Sequence, residues 1–339
     1  MAAGGRLEGL PRPGDLARWL FWVKLREVVP ADRPELLRPA LGLWRAQHRT
    51  AGPRRALMAD ELRRTFGRGD EGLVQEAYRD AFRAHFQELL IGKLSGEQWK
   101  LHLRFEGQRH LDEALARGRG AVLLYPHAGD VMMMLAALGL AGYRYVQYAA
   151  RGMAPPEVAA AHPEVFGHNR WRNEARAARE AAEDRLPVRF LTLETSPREL
   201  VRSLNRNEIV GIAFDGRLGQ RFSLVDYLGR RALLSPGPFK LAISAGAPIV
   251  PAFNHAPDQG PEVCEFGPAI WPDGHSAPEL MRAFLREGAE PWLRAHPHAY
   301  GIWLLHCRLR ADVDDHPFFV DYAPDERWRR WERPGDAGP

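Results

Sequence analysis

The chain carries two patterns of apolar and polar positions. Through residues 14–118 apolar side chains recur at helical spacing. In DLARWLFWVKLREVV, Leu16, Leu20 and Val23 share a face with the Trp and Phe positions, and Arg18, Lys24 and Arg26 lie between them. RRALMADELRRTFG and EGLVQEAYRDAFRAHFQELLIGKL repeat the period, the second with Leu73, Ala77, Phe82, Phe86 and Leu90 on its stripe. From residue 119 short apolar runs alternate with helical stretches. The expected strands are AVLLYP (121–126), RYVQYAA (144–150), VRFLTLE (188–194), EIVGIAFD (208–215), PIVPAFN (248–254) and PEVCEFGPAI, with a hairpin at RFSLVDYLGRRALL. The expected helices are 129–140, NEARAAREAAED, SPRELVRSLNR, PGPFKLAISAG and a last amphipathic helix at 277–295. This alternation predicts an α/β fold, a largely parallel central sheet flanked by helices behind a helical N-terminal preface. Three regions follow: a helical region 1–118 packing on the core, an α/β core 119–310, and a charged C-terminal tail 311–339.

Ligands of such sheets bind beyond the carboxyl ends of the strands. That rule selects PHAGD after the first core strand and FDGR after the strand ending at Asp215. His127 stands just before a helix start, where the partial positive charge disfavours imidazolium and keeps a base neutral. Its strand-end position beside Gly129 and Asp130 favours a catalytic role over a structural histidine bonded to nearby backbone. Asp130, in the first helical turn, could orient the imidazole or cap free N–H groups. Asp215 could pair with His127, and Arg217, after Gly216, could clamp a phosphate or carboxylate; the plainer alternative is a turn aspartate and a solvated arginine. The run Met132-Met133-Met134 is helix core or the lining of an acyl pocket.

Composition narrows the partners. Apolar residues at 45% and charged residues at 27% are those of a globular protein. The net charge of +4 rests almost wholly on arginine, since Lys24, Lys93, Lys100 and Lys240 are the only lysines. With abundant Ala, Gly and Pro, that skew reflects compositional bias, so no nucleic-acid partner is expected, while an anionic substrate or membrane surface remains compatible. Cys264 and Cys307 lack metal-ligand or CxxC spacing and fit a reducing compartment. The H-x-H of HPHAY has no carboxylate or cysteine nearby in sequence, so no metal site is expected. No Walker loop, G-x-G-x-x-G or G-x-S-x-G elbow stands in the right context. No signal peptide is visible, and WLFWVKL is far shorter than the ~18 apolar residues of a span.

Four segments in order, RFEGQRHLDEALARGRGAVLLYPHAGD, GIAFDGRLG, YLGRRALLSPGPFKLAISAGAPIVPAF and HPHAYGIWLLHCRLR, resemble the lysophospholipid acyltransferase superfamily. The likeness, over about residues 55 to 310, is to the late acyltransferases of lipid A biosynthesis and the mycobacterial phosphatidylinositol mannoside acyltransferases. It implies a histidine, here His127, that deprotonates an acceptor hydroxyl for attack on an acyl thioester of acyl carrier protein or coenzyme A; the departures from the family pattern leave an amine acceptor open. That thioester is a co-substrate, and no cofactor is implied. In the family a carboxylate five residues after the histidine supports the base; here that residue is Met132. Asp130, at the family's asparagine position, or Asp215 is then the partner. Arg217 and Arg151 are candidate anchors for anionic groups, and Gly129, Gly216 and Met132 complete the expected substrate site. The resemblance also implies a hydrocarbon groove near Met132 to Leu138 and a cytoplasmic protein working at the inner face of a membrane. Trp19, Phe21 and Trp22 would either dock peripherally in that interface or pack on the domain. The missing carboxylate gives the alternative: a catalytically silent protein on the same fold that binds an acyl chain or a carrier protein.

Overall fold

A computed structural model of the chain describes residues 13–33, 48–49, 51–149, 169–192, 195–217, 221–311 and 316–323. Its strands are β1 (Leu103–Glu106), β2 (Ala121–Tyr125), β3 (Tyr145–Tyr148), β4 (Arg189–Leu191), β5 (Ile209–Ala213), β6 (Ser223–Tyr227), β7 (Arg230–Leu234), β8 (Ile249–His255) and β9 (Glu262–Phe266). β6 and β7 form an antiparallel hairpin, and the other seven make one sheet in the order β1-β9-β8-β2-β5-β3-β4. Every neighbouring pair in that sheet is parallel except β8 and β9. The fold is therefore α/β with a mostly parallel sheet, as the alternation of patterns predicts.

The sheet is covered on both faces, and β2 shows why. All five of its residues are buried. Val122 and Leu124 join Val210 and Ile212 in the core on one side, while Leu123 and Tyr125 join Met133, Met134 and Leu138 on the other. Successive side chains point to opposite faces, so a strand buried on both sides reads as one continuous apolar run.

The helices are α1 (Pro13–Trp19), α2 (Gly52–Phe66), α3 (Glu71–Gln87), α4 (Gln108–Leu115), α5 (Val131–Leu140), α6 (Arg170–Glu183), α7 (Pro197–Asn205), α8 (Gly237–Ala245), α9 (Ala277–Ala283), α10 (Glu290–Ala295) and α11 (Pro297–Leu309). Wider turns, Leu20–Leu25 and Phe284–Ala289, prolong α1 and join α9 to α10. α11 packs closely on α2 and α3: a Cβ at Gly301 would lie 2.8 Å from Ala77 Cβ and 3.4 Å from Met58 Sδ.

Two elements differ from the sequence reading. Leu103–Glu106, inside the helical preface, is an edge strand paired with β9. Four residues are too few to show a period, and their partner lies far along the chain. The helix at 277–295 is also not the last. α11 follows directly, and Ala299, Tyr300, Gly301, Leu304, Leu305 and Cys307 are buried around it, so it has no broad polar face to mark its period.

Among the described residues no helix is long and apolar enough to cross a membrane. The α1 aromatics pack on the protein. Trp22 is buried, Trp19 meets Trp171 edge-on at 4.9 Å, and Phe21 stacks on His85 at 4.1 Å. Cys264 and Cys307 are buried free thiols.

Candidate active site

The register of two strands builds the site. β2 and β5 are adjacent and parallel, with Tyr125 opposite Ala213. The Phe214 N–H donates to the Tyr125 carbonyl at 3.1 Å and carries the pairing one step further. Two residues beyond the paired ends stand His127 and Asp215. Their side chains meet, His127 Nδ1 to Asp215 Oδ1, at 2.6 Å. The His127 backbone N–H donates to Asp215 Oδ2 at 3.0 Å, and the Tyr300 hydroxyl donates to the same oxygen at 2.8 Å. Asp215 is wholly buried, whereas 39% of the His127 side chain is open. The buried carboxylate thus has the donors that burial demands, and the imidazole is within reach of a ligand. Trp303 lies parallel to the imidazole at 3.9 Å and 11°, and itself stacks on His306.

The bacterial lipid A biosynthesis acyltransferase family matches the chain over residues 62–311. The chain belongs to that family. No curated protein matches it. The membership makes the chain an acyltransferase of lipid A type, and it covers β2, β5 and α11, the three elements that assemble His127, Asp215, Tyr300 and Trp303.

In this lipid A-type acyltransferase Asp130 is not at the imidazole. It caps α5, its Oδ1 accepting the Met133 N–H at 2.8 Å, while its own N–H donates to Glu262 Oε1 at 2.6 Å. Burial, then the neighbouring Glu262 charge, pushes the Asp130 carboxyl well above the ordinary carboxylate range. Burial also raises Glu262. With its amide nitrogen turned toward the pair, Gln87 donates to Asp130 Oδ2 at 3.3 Å and Glu262 Oε2 at 2.9 Å. Gly129 permits this packing. Its φ is +62°, and a Cβ there would come within 2.6 Å of Asn254 and Glu262 atoms.

Met132 packs against the apolar group of Trp22, Ile91, Ala136 and Leu186. A carboxylate there would displace apolar contact, and His127 Nδ1 is already engaged by Asp215. Of the expected groove from Met132 to Leu138, Met133 through Leu138 are buried and only Met132 is partly exposed. Arg217 directs its donors to main chain: Nη1 to the Leu233 carbonyl at 2.7 Å and Nη2 to the His316 carbonyl, with Phe222 and Phe318 beneath the guanidinium. Gly216 sits in the intervening turn, its N–H donating to the Ala213 carbonyl at 3.3 Å. Arg151 lies outside the described residues. The one His/Glu group among the described residues with metal-ligand spacing, His255, Glu265 and His296, includes neither His127 nor Asp215.

Tyr300 and Trp303 were not among the expected site residues, although they stand in the segment HPHAYGIWLLHCRLR that carries the family likeness. Their signal is their spacing: three residues apart on a helix, they share one face.

Proposed function

We propose that the chain moves an acyl group from an acyl-carrier-protein or coenzyme A thioester to a hydroxyl or amine, with His127 as general base and Asp215 as its partner. The observation that carries this reading is the 2.6 Å contact of His127 Nδ1 with a wholly buried Asp215, beside an imidazole left 39% open. With Nδ1–H held by the carboxylate, Nε2 is the basic atom. It takes the acceptor proton as the acceptor oxygen or nitrogen adds to the thioester carbonyl. The tetrahedral adduct collapses, the C–S bond breaks, and the imidazolium returns its proton to the departing thiolate. Asp215 stabilises the transient imidazolium as the acid of a Ser-His-Asp triad does. The Trp303 face, 3.9 Å away, limits rotation of the ring. The family's name supports a glycolipid acceptor of lipid A type, which would place the protein at the inner face of the cytoplasmic membrane.

The test follows thiol release from a panel of acyl-carrier-protein and acyl-coenzyme A thioesters, with glycolipid, lysophospholipid and amine acceptors. Acceptor-dependent release should fall by about 10³-fold in His127→Ala, within the range a general base contributes. Acyl-chain or carrier-protein binding without turnover, unchanged in His127→Ala, would sink the reading in favour of a silent binding protein.

A further inference from the structure

We infer that the chain binds one divalent transition-metal ion, of which zinc is the best fit, through His255, Glu265 and His296. The sequence argues against a metal at HPHAY because no further ligand is near it along the chain. The fold supplies what the sequence lacks. β8 ends at His255, β9 contributes Glu265, and the two strands are antiparallel neighbours, with Phe253 opposite Glu265 and His255 opposite Val263. His255 Nε2 stands 3.0 Å from Glu265 Oε1. His296, at the joint between α10 and α11, brings its ring to 4.5 Å from the His255 ring. One donor atom from each of the three residues lies within 4.8 Å of the others.

The donor set has the chemistry of a zinc site. Two imidazoles and one carboxylate, with a water completing a tetrahedron, suit Zn(II), and thiolates are not required. His296 is already oriented for the task. Its Nδ1 lies 3.1 Å from the Trp292 carbonyl; an Nδ1–H donating there leaves Nε2 with its lone pair, the outer hydrogen bond that metal-bound histidines commonly have. Trp292 stacks on the same ring at 4.4 Å. All three residues are partly exposed, which gives an ion an entry path. Ligand bonds of about 2.0–2.2 Å need the donors drawn closer together, so binding would tighten the group around the ion. His298, two residues on, is not part of it: its nitrogens face Asp80 at 3.4 Å and Glu76 at 3.8 Å. An ion here would tie the start of α11 to the β8–β9 edge, and α11 carries Tyr300 and Trp303. The inference does not depend on the role proposed for His127.

The experiment uses untagged full-length protein, stripped with a chelator and dialysed against Zn(II), with metal content and thermal stability measured. One equivalent should be retained, and the melting temperature should rise with Zn(II). Loading with Co(II) should give the visible d–d bands of a tetrahedral site. Glu265→Gln and His255→Asn should each weaken binding by more than about tenfold. So should His296→Asn, which keeps a residue favoured at a helix N-cap. His298→Asn should bind as wild type does. Circular dichroism on the stripped proteins establishes that the variants are folded. Absence of saturable uptake by wild type, equal uptake by wild type and Glu265→Gln, or loss of uptake in His298→Asn would each overturn the assignment.

Discussion

Asp215 and Asp130 are both buried carboxyl groups at the same edge of one sheet, yet their surroundings are opposite. Asp215 is met by donors: the His127 ring and backbone N–H, and the Tyr300 hydroxyl. Asp130 is met by backbone N–H of its own helix on one side and by a second acid, Glu262, on the other. One arrangement surrounds a carboxyl group with hydrogen-bond donors beside a partly exposed imidazole. The other favours keeping a proton. Both groups are buried, so the partners they meet distinguish what each carboxyl group can do. Residue type within a motif therefore leaves the role open, and the neighbours assign it.

The largest effect should come from breaking the first arrangement. Asp215→Asn keeps the volume but removes the charge and permits the wrong tautomer, and kcat should fall by about 10³-fold while the melting temperature moves little. Kinetics on the purified variant would check this, and activity near wild type would end Asp215's claim to be the partner. Tyr300→Phe removes one donor from the same oxygen and should cost about tenfold in kcat, since hydrogen bonds to charged groups contribute about 1.5–3 kcal/mol. A matching rise in KM alone would argue against it.

Asp130→Asn should be the mildest for catalysis, with kcat within about twofold, because the side chain contacts neither His127 nor Asp215. Its effect should appear in stability instead. Asn still caps α5, while the raised carboxyl of the wild type is lost. A carboxyl group raised on folding stabilises most at low pH, and that stability declines as pH climbs from the ordinary carboxylate range through the folded-state value. Melting temperatures at about pH 5 and about pH 9 should therefore favour the variant increasingly toward the alkaline side. A pH-independent difference would mean that the Asp130 and Glu262 carboxyls are already ionised in the folded protein.

Much of this was legible in the sequence. The strand–helix alternation gave the α/β class, and the carboxyl-edge rule selected both His127 and Asp215 before any contact was known. Which of Asp130 and Asp215 meets the His127 ring was not legible, because that turns on the pairing of β2 with β5, and no local pattern states which strands are neighbours. Glu262 was hidden for the same reason: it reaches Asp130 across 132 positions of chain. That the Arg217 guanidinium meets the Leu233 and His316 carbonyls was likewise not legible, because these belong to distant segments. β1 was too short to show a period, and α11 carries apolar Ile302 and Leu309 even at exposed positions, which blurs its pattern.

Placing His127 and Asp215, the proposed base and partner, at the tips of separate strands, 88 residues apart, also affects how the chain reaches working order. A helix that carried its own histidine and acid could assemble the pair locally and early. Here the closing of the loop between β2 and β5 must come first, and long-range pairing of this kind forms slowly. A slip of one residue between these strands would turn Asp215 to the opposite face of the sheet. Recovery of activity during refolding is thus a late signal, and a sensitive one for correct alignment of the central strands.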